Sequence, residues 1–165
     1  MKLSLILAAA TLPAVAANAP IPTAELIAKS YAKALTRLTD KPKSISAELA
    51  GMCSTIPADA KFGPHSRHFV HHYRNELAMM AKGDFPPGSV LVKEKLSPKE
   101  RAGGPLAVVY ATGMIKQPAG TSPKSGDWLF FEFTEGKLVD AKVEGCAGCH
   151  SGAKRDYVFS DIPKR

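Results

Sequence analysis

Two cysteines and a histidine near the end of the chain make its tightest chemical constellation: Cys146-Ala147-Gly148-Cys149-His150. The pattern C-x-x-C-H is the attachment signature of a c-type haem. Each thiol adds across one vinyl group of the macrocycle, and the adjacent imidazole reaches the iron from the same short segment. Plainer uses of these residues compete with that one. They are a disulfide between Cys146 and Cys149, half of a zinc site, and a redox pair of the thioredoxin type. No second C-x-x-C completes a zinc site, and a thioredoxin-like pair would follow a strand and open a helix. The motif points to one covalent haem c held by Cys146 and Cys149, with His150 on the iron. Cys53 is left over and reads as a buried thiol.

The position of the motif narrows the kind of haem protein. An ordinary electron-carrying cytochrome c has its motif near the N-terminus and a methionine ligand well downstream. Here residues 151–165 contain no methionine, and Met52, Met79, Met80 and Met114 all lie upstream. An electron carrier with Met114 or a histidine as sixth ligand would be an unusual arrangement. The four-helix cytochromes c′ also attach haem near the C-terminus. They would need helix before Cys146, where this chain offers strand signals.

The elements that must position the motif follow from spacing. Residues 1–16 have the layout of a secretory signal peptide: Lys2, an apolar Leu- and Ala-rich run, then Ala14-Val15-Ala16. The run is too short to span a bilayer and is broken by Pro13. No later stretch could span, so the expected mature chain is exported to the periplasm without membrane insertion. Residues 17–22 read as a linker and 23–165 as one domain. Thr23 can cap a helix carrying Ile27, Tyr31, Ala34, Leu35 and Leu38 on one face, ended by Asp40-Lys41-Pro42. A second helix is expected over residues 65–82, with Pro64 before it and Gly83 after it.

After Gly88 the period changes to that of strands. They are expected over 90–96, 106–116, 128–133 and 138–143, the last two joined by a Glu135-Gly136 hairpin. The 106–116 run is apolar on both faces and should be central. The fold class is α+β, with N-terminal helices, then an antiparallel β-sheet, then the C-terminal c-type haem attachment.

Phe85-Pro86-Pro87-Gly88-Ser89-Val90-Leu91-Val92-Lys93-Glu94, then Gly126-Asp127-Trp128, then the C-x-x-C-H motif, then Asp156-Tyr157-Val158-Phe159 occur in that order. In this combination the chain resembles the cytochrome P-460 family over roughly residues 60–160. The family includes hydroxylamine-oxidising enzymes and the related β-sheet cytochromes c′. The resemblance implies a sheet-rich homodimer with a five-coordinate haem. His150 would be the proximal ligand, and the distal side would be open to hydroxylamine or nitric oxide. In the enzymes a lysine is also cross-linked to the ring. In the β-sheet cytochromes c′ that bond is absent, and apolar aromatics cap the distal side.

Strand alternation places Lys93 and Lys95 on one face, opposite Val90 and Val92. Both could simply be solvated. The resemblance favours Lys93 as the cross-linking residue and leaves Lys95 in reserve. The enzymes also need a distal carboxylate as general base. Glu94 points away from Lys93, and Glu132, in the 128–133 strand, is a second candidate; the residues do not single one out. Phe131 and Phe133 share a face that could wall the distal side. Ala107, Ala111 and Gly113 could admit a flat macrocycle. Both sets are also ordinary core. His65, His68 and His72 fall on one side of the expected helix, more simply as a solvated face than as a metal site. Arg67, Arg74, Lys154 and Arg155 could pair with haem propionates.

The chain carries 22 Lys and Arg against 15 Asp and Glu, a formal charge of +7. The basic residues are scattered, without the interleaved aromatics of a nucleic-acid platform. Docking to an acidic redox partner cytochrome explains the charge better.

Overall fold

The computed structural model describes residues 20–45, 68–98, 105–141 and 143–159. Its centre is a seven-stranded antiparallel sheet of β1 (Thr36–Arg37), β2 (Lys43–Ile45), β3 (His68–Arg74), β4 (Val90–Pro98), β5 (Leu106–Lys116), β6 (Trp128–Thr134) and β7 (Lys137–Asp140). The strand order is β1-β3-β4-β5-β6-β7, with β2 also paired to β3. Among the described residues three short α-helices accompany it: α1 (Ala24–Ala34), α2 (Glu76–Met80) and α3 (Val143–His150). The expected signal peptide, residues 17–19 of the linker, and Met52, Cys53, His65 and Arg67 lie outside the described residues.

Helix α1 starts as expected. The Thr23 hydroxyl accepts from the Leu26 N–H at 3.2 Å, and Glu25 stands in the first turn. It ends at Ala34, before the expected stop, because Thr36 and Arg37 turn extended and pair with Arg74 and Tyr73. Its buried residues Ala24, Ile27 and Ala28 pack with Leu35, Tyr73, Val90, Val92, Ala111, Ile115, Phe131 and Phe133. That cluster defines one face of the sheet.

The helix expected over residues 65–82 is a correction: its described part begins as strand β3, followed by the short helix α2. The same residues satisfy two periods. At period two, Val70 and Tyr73 take opposite faces, and each is buried by a different layer. Pairing along six residues of β4 outweighs a helix that would have spent its polar side on three histidines. Asn75 then makes the turn. Its Oδ1 accepts from the Ala78 and Val90 N–H groups, and its Nδ2 donates to the Gly88 carbonyl.

Strand β5 lies between β4 and β6, as its two apolar faces require. The hairpin at Glu135 and Gly136 also forms, with φ of 49° and 73°, the signs a type I′ turn needs. Strand β7 ends at Asp140, short of the expected Val143, where α3 begins. Among the described residues, no helix is long and apolar enough to cross a membrane.

Two outcomes follow from this packing. A Cβ at Gly113 would clash with the edge of the Phe131 ring, 2.2 Å from Cζ, so Gly113→Ala should lower stability by about 1–3 kcal/mol, read as a lower urea midpoint at unchanged slope. His72 is held down to about 4, first by burial and then by Lys93, Lys43, Arg74 and His71. Below about pH 6.5 the unfolded chain takes up this proton and the folded chain does not. Stability should therefore fall by on the order of 3 kcal/mol as pH drops from about 6.5 to about 4, then level off. Urea midpoints across that window should fall less steeply in His72→Gln than in the parent.

Candidate functional site

The register of the sheet assembles a transverse row that the sequence holds far apart. His72 of β3 lies opposite Lys93 of β4, Lys93 opposite Thr112 of β5, and Thr112 opposite Glu132 of β6. Asp140 of β7 lies opposite Glu132 in turn. The next row is Arg74, Leu91, Met114 and Phe130. Leu91, Met114 and Phe130 pack with Trp128, Ala78, Phe85 and Ala147 of α3. Alternation therefore puts Lys93, Thr112 and Glu132 on the face that carries α3 and its cysteines. Glu132 is buried there.

Glu94 points the other way, toward α1, as its spacing from Lys93 requires. It accepts hydrogen bonds from the hydroxyls of Tyr31 and Tyr73. Burial, then the Glu94 carboxylate, pushes the Tyr31 phenol up. The same two causes raise Tyr73. The two lysines are distinct. Lys95 is buried, donates to the Tyr110 hydroxyl and lies 4.3 Å from the centre of that ring. Lys93 is half-buried between His72 and Thr112.

Helix α3 presents the motif. Ala147 is buried against β6, Cys146 is half-buried and Cys149 is exposed, and neither cysteine is in a disulfide. Three residues apart on a helix, the two sulfurs share a side. His150 ends the helix. Its Nδ1 lies 2.6 Å from the carbonyl oxygen of Tyr157. A carbonyl only accepts, so Nδ1 carries the proton and the Nε2 lone pair is left for a metal. The rings of Phe130 and Phe159 flank the imidazole at 4.9 and 5.5 Å.

The Tyr157 carbonyl is itself held by an unusual turn. The Val158 N–H donates to the Arg155 carbonyl, and Asp156 and Tyr157 between them have φ of 39° and 64°. Two non-glycine residues in the left-handed region cost about 1–2 kcal/mol each. The compensation is visible. The Asp156 carboxylate accepts from Lys116 Nζ at 2.7 and 2.8 Å, from the Phe85 N–H at 2.8 Å and from the Trp128 indole at 3.2 Å. The indole also donates to the Asp156 carbonyl. Arg155 donates to the carbonyls of Ala81 and Gly83 and lies over the Phe85 ring at 4.4 Å.

Several expectations are corrected here. Phe131 and Phe133 lie under α1, on the face away from the cysteines, and so does Ala111. Gly113 is small because Phe131 crosses it, not to admit a macrocycle. Arg155 is a clasp on the 81–83 loop rather than a free propionate partner. Lys154 is exposed. Arg74 is buried over the Phe85 ring at 5.5 Å, and burial, then Arg155, pulls it down to about 10. The helical face of His65, His68 and His72 does not form: His65 lies outside the described residues, and His68 and His72 belong to strand β3 rather than a helix; their neighbour His71 meets Thr39 at 2.8 Å. Among the described residues, no group of three His, Cys, Asp or Glu side chains is placed to hold a bare metal ion.

Sequence reasoning passed over Asp156, Tyr157, Lys116 and Thr112 as functional residues. Asp156 and Tyr157 stood only within a family-like stretch. Their signal is an acidic residue and a bulky one in a turn that nothing nearby in sequence can satisfy. A cleft of about 210 Å³ opens on the α1 face, lined by Tyr31, Val108, Ala111, Phe133 and Glu135. It is on the wrong side of the sheet for the cysteines.

No curated protein matches the chain. The family model described as Cytochrome P460 matches residues 52–160, a span that takes in strands β3 to β7, the transverse row and the whole C-x-x-C-H motif. With that match over most of its length, the chain belongs to the cytochrome P460 family and is a c-type haem cytochrome.

Proposed function

We propose that this chain is an exported, periplasmic monohaem enzyme that oxidises hydroxylamine or nitric oxide. Its one haem c is attached through Cys146 and Cys149, with His150 as proximal ligand. The donor set fits the group. Two cysteines outside any disulfide share a side of α3, an imidazole with its Nε2 lone pair available ends that helix, and aromatic rings flank the imidazole. When bound, the haem supplies an iron for the substrate nitrogen and a route for single electrons.

The observation that carries the enzymatic reading is the row Lys93–Thr112–Glu132 on the motif-bearing face. Lys93 supplies an amine for a bond to the haem edge. Glu132 supplies a buried carboxylate to take protons from the substrate nitrogen as electrons leave. Asp140, across from it on the edge strand β7, is half-exposed and offers those protons a way to water. A redox partner cytochrome accepts the electrons, drawn by the basic surface. The functional unit in this reading is a homodimer.

The second reading is non-enzymatic capture of nitric oxide, as in the β-sheet cytochromes c′. Its support is the apolar row of Leu91, Met114 and Phe130 beside the polar one. Its weakness is that Phe131 and Phe133, the expected aromatic cap, belong to the other face. An electron carrier would use Met114, buried on this same face, as a sixth ligand.

Mass spectrometry of haem-bearing tryptic peptides should find the ring on the Cys146–Cys149 peptide and on the peptide containing Lys93. Attachment through the cysteines alone would favour capture over oxidation. Cys146→Ala with Cys149→Ala should remove thioether attachment. Glu132→Gln should lower hydroxylamine turnover by about 10²–10⁴-fold while leaving the haem absorption bands in place. Unchanged turnover would remove Glu132 from the reaction. Ready binding of nitric oxide to the ferrous protein is expected, and its refusal would point to the electron carrier.

A further inference from the structure

We propose that Asp156 is a positioning residue for His150, setting how strongly the imidazole donates to the iron. The inference rests on the reading of His150 as proximal ligand. The chain of contacts is short and continuous. His150 Nδ1 donates to the Tyr157 carbonyl at 2.6 Å. That carbonyl is aimed by a turn whose two central residues, Asp156 and Tyr157, both have positive φ. The turn offers little of its own to hold two non-glycine residues there, beyond one backbone hydrogen bond of 2.8 Å between Val158 and Arg155.

The Asp156 carboxylate supplies the rest, accepting from three different parts of the fold. Lys116 is the last residue of β5, Trp128 the first of β6, and Phe85 sits in the loop before β4. Lys116 also donates to the Gly126 carbonyl at 2.8 Å, so its ammonium is fixed independently of Asp156. The ion pair is largely buried, with Asp156 7% and Lys116 13% exposed.

A hydrogen bond from Nδ1 to a fixed acceptor does two things. It commits the ring to the tautomer with Nε2 free, and it makes Nε2 a stronger donor. An iron bound by a stronger donor favours the ferric state and holds the histidine more firmly when a ligand arrives opposite it. Asp156 touches neither the ring nor the substrate. It acts through the Tyr157 carbonyl. Because β5 and β6 also carry Thr112 and Glu132, the same carboxylate ties the proximal histidine to the strands that bear the polar row.

The test compares haem-loaded parent, Asp156→Ala, Arg155→Met and His150→Ala. In Asp156→Ala the iron–histidine stretching band of the ferrous protein should move to lower frequency. The ferrous state should gain about tenfold, a rise of about 59 mV in midpoint potential for one electron. Arg155→Met loses the clasp on Ala81 and Gly83 and should be less stable, yet keep the parent band and potential. Band and potential unchanged in folded Asp156→Ala would overturn the proposal, as would an equal shift in Arg155→Met. If Asp156→Ala does not fold, Lys116→Met keeps the carboxylate and removes its charge partner. A smaller shift in the same direction supports the role, and no shift overturns it. In the protein before haem attachment, the nitrogen resonances of His150 should show the Nδ1–H tautomer, and Asp156→Ala should give a mixture. A parent band that survives His150→Ala would instead overturn the assignment of the ligand itself, and this proposal with it.

Discussion

The C-terminal segment stays on the sheet because one buried carboxylate, Asp156, finds donors on three separate pieces of chain. Arg155 also clasps the Ala81 and Gly83 carbonyls and Tyr157 and Val158 pack beside Trp128 and Ala147, while Phe159 is largely exposed. Removing one partner of a buried ion pair leaves an uncompensated charge, a cost of about 3–5 kcal/mol. The Asp156–Lys116 pair therefore fixes the end of the chain more firmly than its small apolar area does. The Tyr157 carbonyl, and with it the contact to His150 Nδ1, sits where that turn puts it.

The sheet works as a partition. One face is an apolar layer under α1, with a hydrogen-bonded knot of Glu94, Tyr31 and Tyr73 within it. Such a buried carboxylate is tolerable because both its oxygens are satisfied. The other face is mixed: apolar toward Trp128 and α3, polar along the row from His72 to Asp140. Strand β4 feeds both layers. Glu94 and Lys93 are neighbours in sequence, yet one stabilises the α1 layer and the other faces the side that carries the C-x-x-C-H helix. A one-residue slip of β4 would exchange them, so the register of β4 against β3 and β5 is a constraint on function as well as on stability.

Local signals were legible where one residue's chemistry settles the structure. Thr23 caps α1, Glu135-Gly136 makes the hairpin, and the double apolar character of 106–116 makes it central. They failed where two periods fit equally well. Residues 68–74 contain apolar positions compatible with a helix or with a strand, and only the presence of β4 on one side and β1 and β2 on the other decides for the strand. The aromatic pair Phe131 and Phe133 was assigned correctly to one face. Which face that was could not be read, because alternation gives relative sides and not which layer covers them.

The sequence by itself determined the chemistry: a C-x-x-C-H segment, whose covalent spacing admits few uses, in a chain of the cytochrome P460 pattern. It also determined that Lys93 and Glu94 must diverge, since a strand alternates. Tertiary structure alone decided that Lys93, Thr112 and Glu132 stand in one row, since cross-strand register is set by pairing among segments tens of residues apart. It alone decided that Asp156 belongs with Lys116, Trp128 and Phe85. A buried charge selects its partners by proximity in the folded state, and nothing in the linear order of those four residues records that they meet.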